Sequence, residues 1–148
     1  MKLILQRVSE AAVRVDNVII GSINAGLLIL FCAERGDTPD DVDFFMHKAA
    51  ALRIFSDENG KTNLSVRDVG GSILVVSQFT LAADWRKGNR PGFSNAADPE
   101  SAKNLYELFC QKLRDDGLPV ETGIFAADMD VSLINDGPFT IILDSRDR

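Results

Sequence analysis

The decapeptide Ser72–Leu81, SILVVSQFTL, is a buried run that turns polar at its end. Gly70-Gly71 launches it, and Ile73–Val76 supplies four consecutive bulky apolar residues. Apolar character at every position, rather than at alternate ones, predicts a central strand with both faces covered. From Ser77 onward the pattern alternates, with Ser77, Phe79 and Leu81 on one side and Gln78 and Thr80 on the other. An amide and a hydroxyl would then share one face at the mouth of a hydrophobic strand. The plain reading is a strand leaving the core. The functional reading is a rigid strand end that offers a few convergent polar groups to a ligand.

Upstream of this strand, residues 2–8, 11–15, 18–23 and 27–32 read as strands separated by Asp16-Asn17 and Asn24-Ala25-Gly26, a β-meander. Thr38 and Pro39 then open a helix, with Asp40, Asp41 and Asp43 at the positive end of its dipole. Val42, Phe45, Met46, Ala49 and Leu52 form its apolar stripe. Asp57-Glu58-Asn59-Gly60 is a turn between 53–56 and 61–64. Downstream, Asp98 and Pro99 cap a second helix, whose stripe is Leu105, Tyr106, Phe109 and Leu113 and whose end is marked by Gly117. Residues 120–125 and 129–143 return as strands. The expected fold class is α+β: a strongly curved antiparallel-rich sheet or β-barrel with two helices packed outside.

At 148 residues the chain reads as a single domain, 1–148, able to bury roughly 70% of its unfolded surface. No apolar run nears the ~20 residues that span a bilayer, so neither a membrane partner nor a secretion signal is expected. Cys32 and Cys110 lie in apolar segments without metal-ligand spacing and read as buried free thiols. With His47 alone inside a helical pattern, no metal site and no cofactor are expected.

A net charge of −6 argues against a general nucleic-acid binder and against DNA as a partner. It leaves room for a local basic patch. Between Trp85 and Ala97 the sequence WRKGNRPGFSNAA carries Arg86, Lys87 and Arg90 and no acid. Trp85 and Phe93, interleaved with these cations, suit base stacking beside phosphate contact. A solvated basic loop is the plain alternative.

The other disturbance is Asn135-Asp136-Gly137-Pro138-Phe139-Thr140, inside what otherwise reads as one long strand. Proline cannot donate to a sheet ladder and glycine packs nothing, so a Gly-Pro pair there marks a bulge, a turn or a site. Together SQFTL and NDGPFT resemble the two signature motifs of the D-aminoacyl-tRNA deacylase (D-tyrosyl-tRNA(Tyr) deacylase) family. MKLILQRVS, NLSVRDVGG, RKGNRPGFS and VETGIFAADMDVSLINDGPFT extend the likeness over nearly the whole chain. Ala82, Gly92 and Phe139 depart from the usual family pattern.

The resemblance implies a cytoplasmic homodimer that hydrolyses D-aminoacyl-tRNA, and glycyl-tRNA, at a site on the subunit interface. It implies catalytic roles for Ser77, Gln78, Phe79 and Thr80, and a cis Gly137-Pro138 dipeptide that enters the other subunit's site and sets selectivity. Arg7, Asn135 and Thr140 would support that dipeptide, and Arg86, Lys87 and Arg90 would bind tRNA.

The residues themselves offer little conventional hydrolase machinery. Thr80 and Ser77 are candidate nucleophiles, but bases are scarce, and there is no GxSxG elbow, zinc cluster or P-loop. An aminoacyl ester, activated by its own ammonium group, needs only backbone donors for the oxyanion and one water. Two rival readings stay open: a non-enzymatic RNA-binding β-domain, and a small-molecule esterase with a Thr80 nucleophile.

Overall fold

The computed structural model describes residues 1–148. In chain order its elements are β1 (Lys2–Val15), β2 (Val18–Ile23), β3 (Gly26–Cys32), helix α1 (Pro39–Ala51), β4 (Phe55–Ser56), β5 (Thr62–Leu64) and β6 (Ser72–Ser77). A 3-10 helix (Phe79–Ala82), helix α2 (Pro99–Asp115), β7 (Val120–Thr122) and β8 (Asp130–Asp144) follow. The 2–8 and 11–15 segments, read separately in the sequence, are one strand, because Glu10 stays paired with Ile134 of β8 between them.

β1 is the hub. One of its edges pairs antiparallel with β3 over Lys2–Val8 and then with β2 over Ala11–Val15. Its other edge pairs antiparallel with β8 from Lys2 to Arg14. β6 lies parallel beside β3, and β7 parallel beside β6, which makes the sheet mixed but still richer in antiparallel pairs. The sheet curls until its ends meet. A Cβ on Gly21 of β2 would stand 2.9 Å from the Thr122 carbonyl of β7. The result is a nearly closed barrel with two helices against its outer face, as the sequence leads one to expect.

The fully apolar strands follow from this curl, since both their faces are covered. Leu27, Ile29, Phe31, Ile73 and Val75 face a large core shared with Val42, Phe45, Phe109 and Leu113 of the helices. The alternate residues Leu28, Leu74 and Val76 pack with Val8, Val13 and Ile23 in the smaller core that the sheet wraps. Each large aliphatic side chain so buried contributes roughly 1.5–3 kcal/mol. Both helices start where the sequence places them. The Asp41 carboxylate accepts from the Thr38 backbone N–H at 2.9 Å, and Asp98 accepts from that of Ser101 at 3.0 Å. Tyr106 of α2 donates its hydroxyl to the Val75 carbonyl at 2.9 Å and so ties the helix to the central strand.

Two expectations need correction. The central strand ends at Ser77: the Gln78 N–H makes one last bond, to the Phe31 carbonyl at 2.7 Å, and the chain turns into the 3-10 helix. The strand alternation from Ser77 to Leu81 is therefore lost, because β3 ends at Cys32 and offers no further ladder. The strand expected over 120–125 also stops early, at Thr122.

Close approach of β3 and β6 yields a test. A Cβ on Gly26 would sit 1.8 Å from the Ser72 carbonyl oxygen, which is backbone and cannot swing aside. Gly26→Ala should destabilise the fold by about 3 kcal/mol, read as a lower denaturant midpoint in chemical unfolding. An unchanged midpoint would contradict this packing.

Candidate active site

The end of β6 opens onto a cleft of about 520 Å³. Its floor and walls are mostly apolar, including Phe31, Val76, Ala97, Phe125 and Met129, while Ser77, Gln78 and Asp128 supply polar edges. Phe79, 54% exposed, stands at the mouth with its ring 5.0 Å from that of Phe93. Three of the four residues expected to be catalytic, Ser77, Gln78 and Phe79, line this cleft; Thr80 does not.

Thr80 is exposed, and its hydroxyl meets only the Gln78 side-chain amide, at 2.5 Å. An amide is no base in either orientation, so nothing activates Thr80 as a nucleophile. His47 is exposed on α1 and outside the cleft. Cys32 lines the cleft but is buried, its thiol set 3.6 Å from the Phe79 carbonyl. Burial pushes its pKa up to about 11, so it is a neutral thiol near pH 7. What the turn does offer is backbone. Phe79 and Thr80 are the first two residues of the 3-10 helix, positions whose N–H groups have no acceptor within it.

The Gly137-Pro138 segment lies elsewhere. Gln6 of β1 pairs with Thr140 and Val8 with Asn135, so a single residue, Arg7, faces four residues of β8. Asn135 closes the neck of this bulge: its side-chain oxygen accepts from Phe139 N–H at 3.2 Å, and its NH2 donates to the carbonyls of Phe139 at 3.0 Å and Arg7 at 2.8 Å. Arg7 braces it from below, with Nε donating to the Asp136 carbonyl at 2.9 Å and Nη1 to the Ile54 carbonyl at 2.7 Å. Its guanidinium also lies 4.8 Å from the centre of the Phe139 ring. Thr140 accepts from Gln6 at 3.3 Å. The Gly137-Pro138 peptide is cis, and both residues face solvent.

This bulge is no part of the cleft beside it. Phe31, on the cleft floor, pairs with Leu3, four residues before Arg7 on the same strand, a separation of about 13 Å. The fold thus does not bring the two motifs read from the sequence together within one chain.

The basic loop adjoins the cleft. Asp84 and Gly92 exchange backbone bonds of 2.7 and 2.9 Å, which set residues 85–91 as a projecting loop. Arg86, expected to bind tRNA, is engaged by Asp84 in a two-pronged pair at 2.8 and 3.0 Å, although it remains exposed. These hydrogen bonds hold the Asp84 carboxyl well below the usual range, at about 2. Lys87 and Arg90 are exposed and form no ion pair.

The sequence reading passed over one wall of the cleft. Phe125-Ala126-Ala127 and Met129, with Ala96-Ala97, line it; they fall within stretches quoted for the resemblance and the basic loop but carry no role there. Their signal was the paired alanines, small residues that leave room for a ligand, and Ala126 takes a left-handed φ of 63° that turns the chain around the cleft.

A curled mixed sheet with two outer helices, an apolar cleft at a strand end and a braced Gly-Pro bulge defines the class of protein. A family model described as D-Tyr-tRNA(Tyr) deacylase matches residues 4–144. Proteins named D-aminoacyl-tRNA deacylase are similar over their full length. That of Anaeromyxobacter dehalogenans (strain 2CP-C) is 58% identical over 99% of this chain and 98% of its own. That of Geobacter sulfurreducens (strain ATCC 51573 / DSM 12127 / PCA) is 54% identical over 100% and 97%. A solved structure described as a c-Myc DNA Unwinding Element Binding Protein superposes with a TM-score of 0.93 at 40% identity, covering 98% of this chain and 99% of that one. One described as a probable eukaryotic D-amino acid tRNA deacylase shares the fold, with a TM-score of 0.80 at 18% identity, covering 96% and 97%. The chain belongs to the D-Tyr-tRNA(Tyr) deacylase family.

The thiols supply a pH test. Burial raises Cys32 to about 11 and Cys110 to about 12, above the ordinary 9.0. Groups raised in the folded state contribute stability that is whole below the ordinary value and is lost as pH climbs through the folded one. The Tm should fall progressively as pH rises above about 9, and both thiols should resist alkylation in the native protein near pH 8. Rapid native alkylation of Cys32 would contradict its burial.

Proposed function

We propose that this chain hydrolyses the ester that joins a D-aminoacyl or glycyl group to the 3′ end of tRNA. The products are free tRNA and the amino acid, in the tRNA pool of the cytoplasm. We further propose that it works as a two-fold dimer in which Gly137-Pro138 of one chain closes the cleft of the other. The observation that carries this reading is the separation of two well-built half-sites in one chain: a cleft without a lid, and a solvent-facing braced bulge without a cleft. The outer edge of β8 supports it. That strand pairs only with β1, which leaves its other backbone edge free, and it exposes Ile134 (55%) and Ile142 (69%), apolar side chains suited to an isologous contact.

The chemistry follows from the parts. Every aminoacyl-tRNA shares a terminal adenosine, whereas the amino-acid side chains differ, so general affinity must come from the nucleoside, and an apolar cleft suits its base. The ester carbonyl then lies against the unpartnered N–H groups of Phe79 and Thr80. A water attacks the carbonyl carbon, those N–H groups carry the charge that develops on oxygen, and the ribose oxygen leaves with a proton. The substrate's own ammonium group and the neighbouring ribose hydroxyl supply the remaining activation. Gln78 and Thr80, bonded to each other, position the turn.

Selectivity comes from backbone. The carbonyls of Gly137 and Pro138 bind the α-ammonium and leave no room for an L side chain, while a D side chain or hydrogen points away. Such a wall is blind to side-chain identity and passes glycine. Lys87 and Arg90 meet the tRNA backbone, with Arg86, held by Asp84, beside them. A DNA-binding reading, prompted by the description of one similar structure, has less support, because a net charge of −6 leaves only this short loop to meet a duplex.

Incubation with matched D-, L- and glycyl-tRNA tests the proposal. The D-ester should be cleaved, the glycyl ester cleaved at higher enzyme concentration, and the L-ester spared. RNA affinity without hydrolysis would favour the binding-domain reading. A glycyl ester as resistant as the L-ester would mean that selection reads the D side chain.

Two variants probe the parts. Thr80→Ala should keep turnover within about ten-fold, whereas loss of a nucleophile costs on the order of 10⁴–10⁶; a trapped acyl-Thr80 would establish the covalent route. Gly137→Ala sets a methyl 2.8 Å from the Phe139 nitrogen and 3.1 Å from the Arg7 guanidinium, at a φ of +146°. Displacing the bulge should lower kcat/KM on the D-ester by about 10²-fold. Wild-type kinetics in this variant would remove the bulge from the site.

A further inference from the structure

Trp85 is the single tryptophan of the chain and its most exposed large hydrophobic side chain, at 76%. Nothing in the fold requires an indole there. Water-exposed indole is unfavourable on a monomer, and here it stands on a held platform rather than on a free tip. Its neighbour Asp84 is fixed twice, by the backbone exchange with Gly92 and by the paired hydrogen bonds from Arg86. The unpaired cations Lys87 and Arg90 share the same loop, on a chain whose net charge is −6. The loop is also close to the proposed chemistry, since Trp85 lies five residues beyond Thr80, at most about 18 Å along the chain. Phe93, on the return arm, touches Phe79 at the cleft mouth.

We infer that Trp85 is a stacking platform for an unpaired base of the RNA 3′ end, one of the nucleotides that precede the terminal adenosine, with Lys87 and Arg90 holding the adjoining phosphates. This rests on the RNA-substrate reading above and deepens it. A bare basic loop would bind any phosphate backbone, duplex or single-stranded. An exposed aromatic face adds affinity only where a base is unstacked, because a paired base already has neighbours on both faces. Trp85 therefore selects single-stranded ends over duplex, and the Asp84–Arg86 pair serves to aim it. Stacking of this kind is indifferent to base identity, which suits an enzyme that must accept many tRNAs.

Because Trp85 is the only indole, intrinsic fluorescence reports on it alone. The probe is an uncharged RNA hairpin with an unpaired 3′ overhang, compared with the same hairpin made blunt. The overhang should quench the emission and the blunt form should not. Trp85→Ala should weaken binding of the overhang hairpin by about ten-fold or more, with Trp85→Phe between the two, and leave the blunt hairpin unaffected. Lys87→Ala and Arg90→Ala should instead weaken both hairpins and each flatten the salt dependence. Absence of quenching, or equal affinity for Trp85→Ala and wild type, would overturn the stacking role. Hydrolysis of D-aminoacyl-tRNA by the wild-type protein is read separately. Persistence of that activity alongside a failed stacking test would sink the platform and spare the deacylase reading; loss of both would sink the RNA-substrate reading itself.

Discussion

The single β1 residue that stands opposite the β8 bulge, Arg7, is the constraint on which the rest depends. β1 is hydrogen-bonded on both edges, to β3 and β2 on one side and to β8 on the other, so its register is fixed from two directions. Four residues of β8 must then fit opposite one residue of β1, and the surplus has nowhere to go but outward. Two side chains make that surplus a shape rather than a frayed loop. Asn135 closes its neck with three hydrogen bonds, and Arg7, 12% exposed, spends its guanidinium on two backbone carbonyls and the Phe139 ring. Hydrogen bonds from a charged donor contribute more than neutral ones, about 1.5–3 kcal/mol each. Such bracing suits a backbone surface that must discriminate by position, since a wall that yields by an ångström would no longer separate mirror images.

The cleft obeys the same economy of side chains. No histidine, metal-binding cluster or activated thiol lies at the end of β6; of the two hydroxyls there, that of Thr80 is bonded to an amide and that of Ser77 has no base hydrogen-bonded to it. A site of that composition can hasten only a reaction whose substrate is already labile, by holding it and stabilising developing charge with fixed dipoles. An aminoacyl ester is such a substrate. The apolar lining also gives the backbone donors a surrounding of low polarity, in which they are worth more than in water.

Much of this was legible in the residues. The unbroken apolar run Ile73–Val76 announced a strand covered on both faces, and Thr38-Pro39 and Asp98-Pro99 marked both helix starts. Gly137-Pro138 inside a strand pattern announced the bulge. The turn after Ser77 was not legible, because SQFTL continues the alternation of a strand; what ends the strand is the loss of its neighbour β3, a tertiary fact. Nor was the alanine-lined wall, since small residues carry no chemistry and signal only space. The pairing of Asp84 with Arg86 was missed because the acid lies one residue outside the basic stretch. The distance between cleft and bulge depended on the register of β1 against β3, which no local pattern encodes.

The central claim, a site completed in trans, has a direct measurement in complementation. Ala96→Trp fills the cleft of one chain, and Gly137→Ala displaces the bulge of another; each variant alone should be nearly inactive on D-aminoacyl-tRNA. Mixed and allowed to exchange subunits, they should regain activity, because each heterodimer holds one site with an open cleft facing an intact bulge. If the mixture stays as inactive as its parts while exchange of subunits is demonstrated, cleft and bulge serve the site of their own chain, and assembly in trans is wrong.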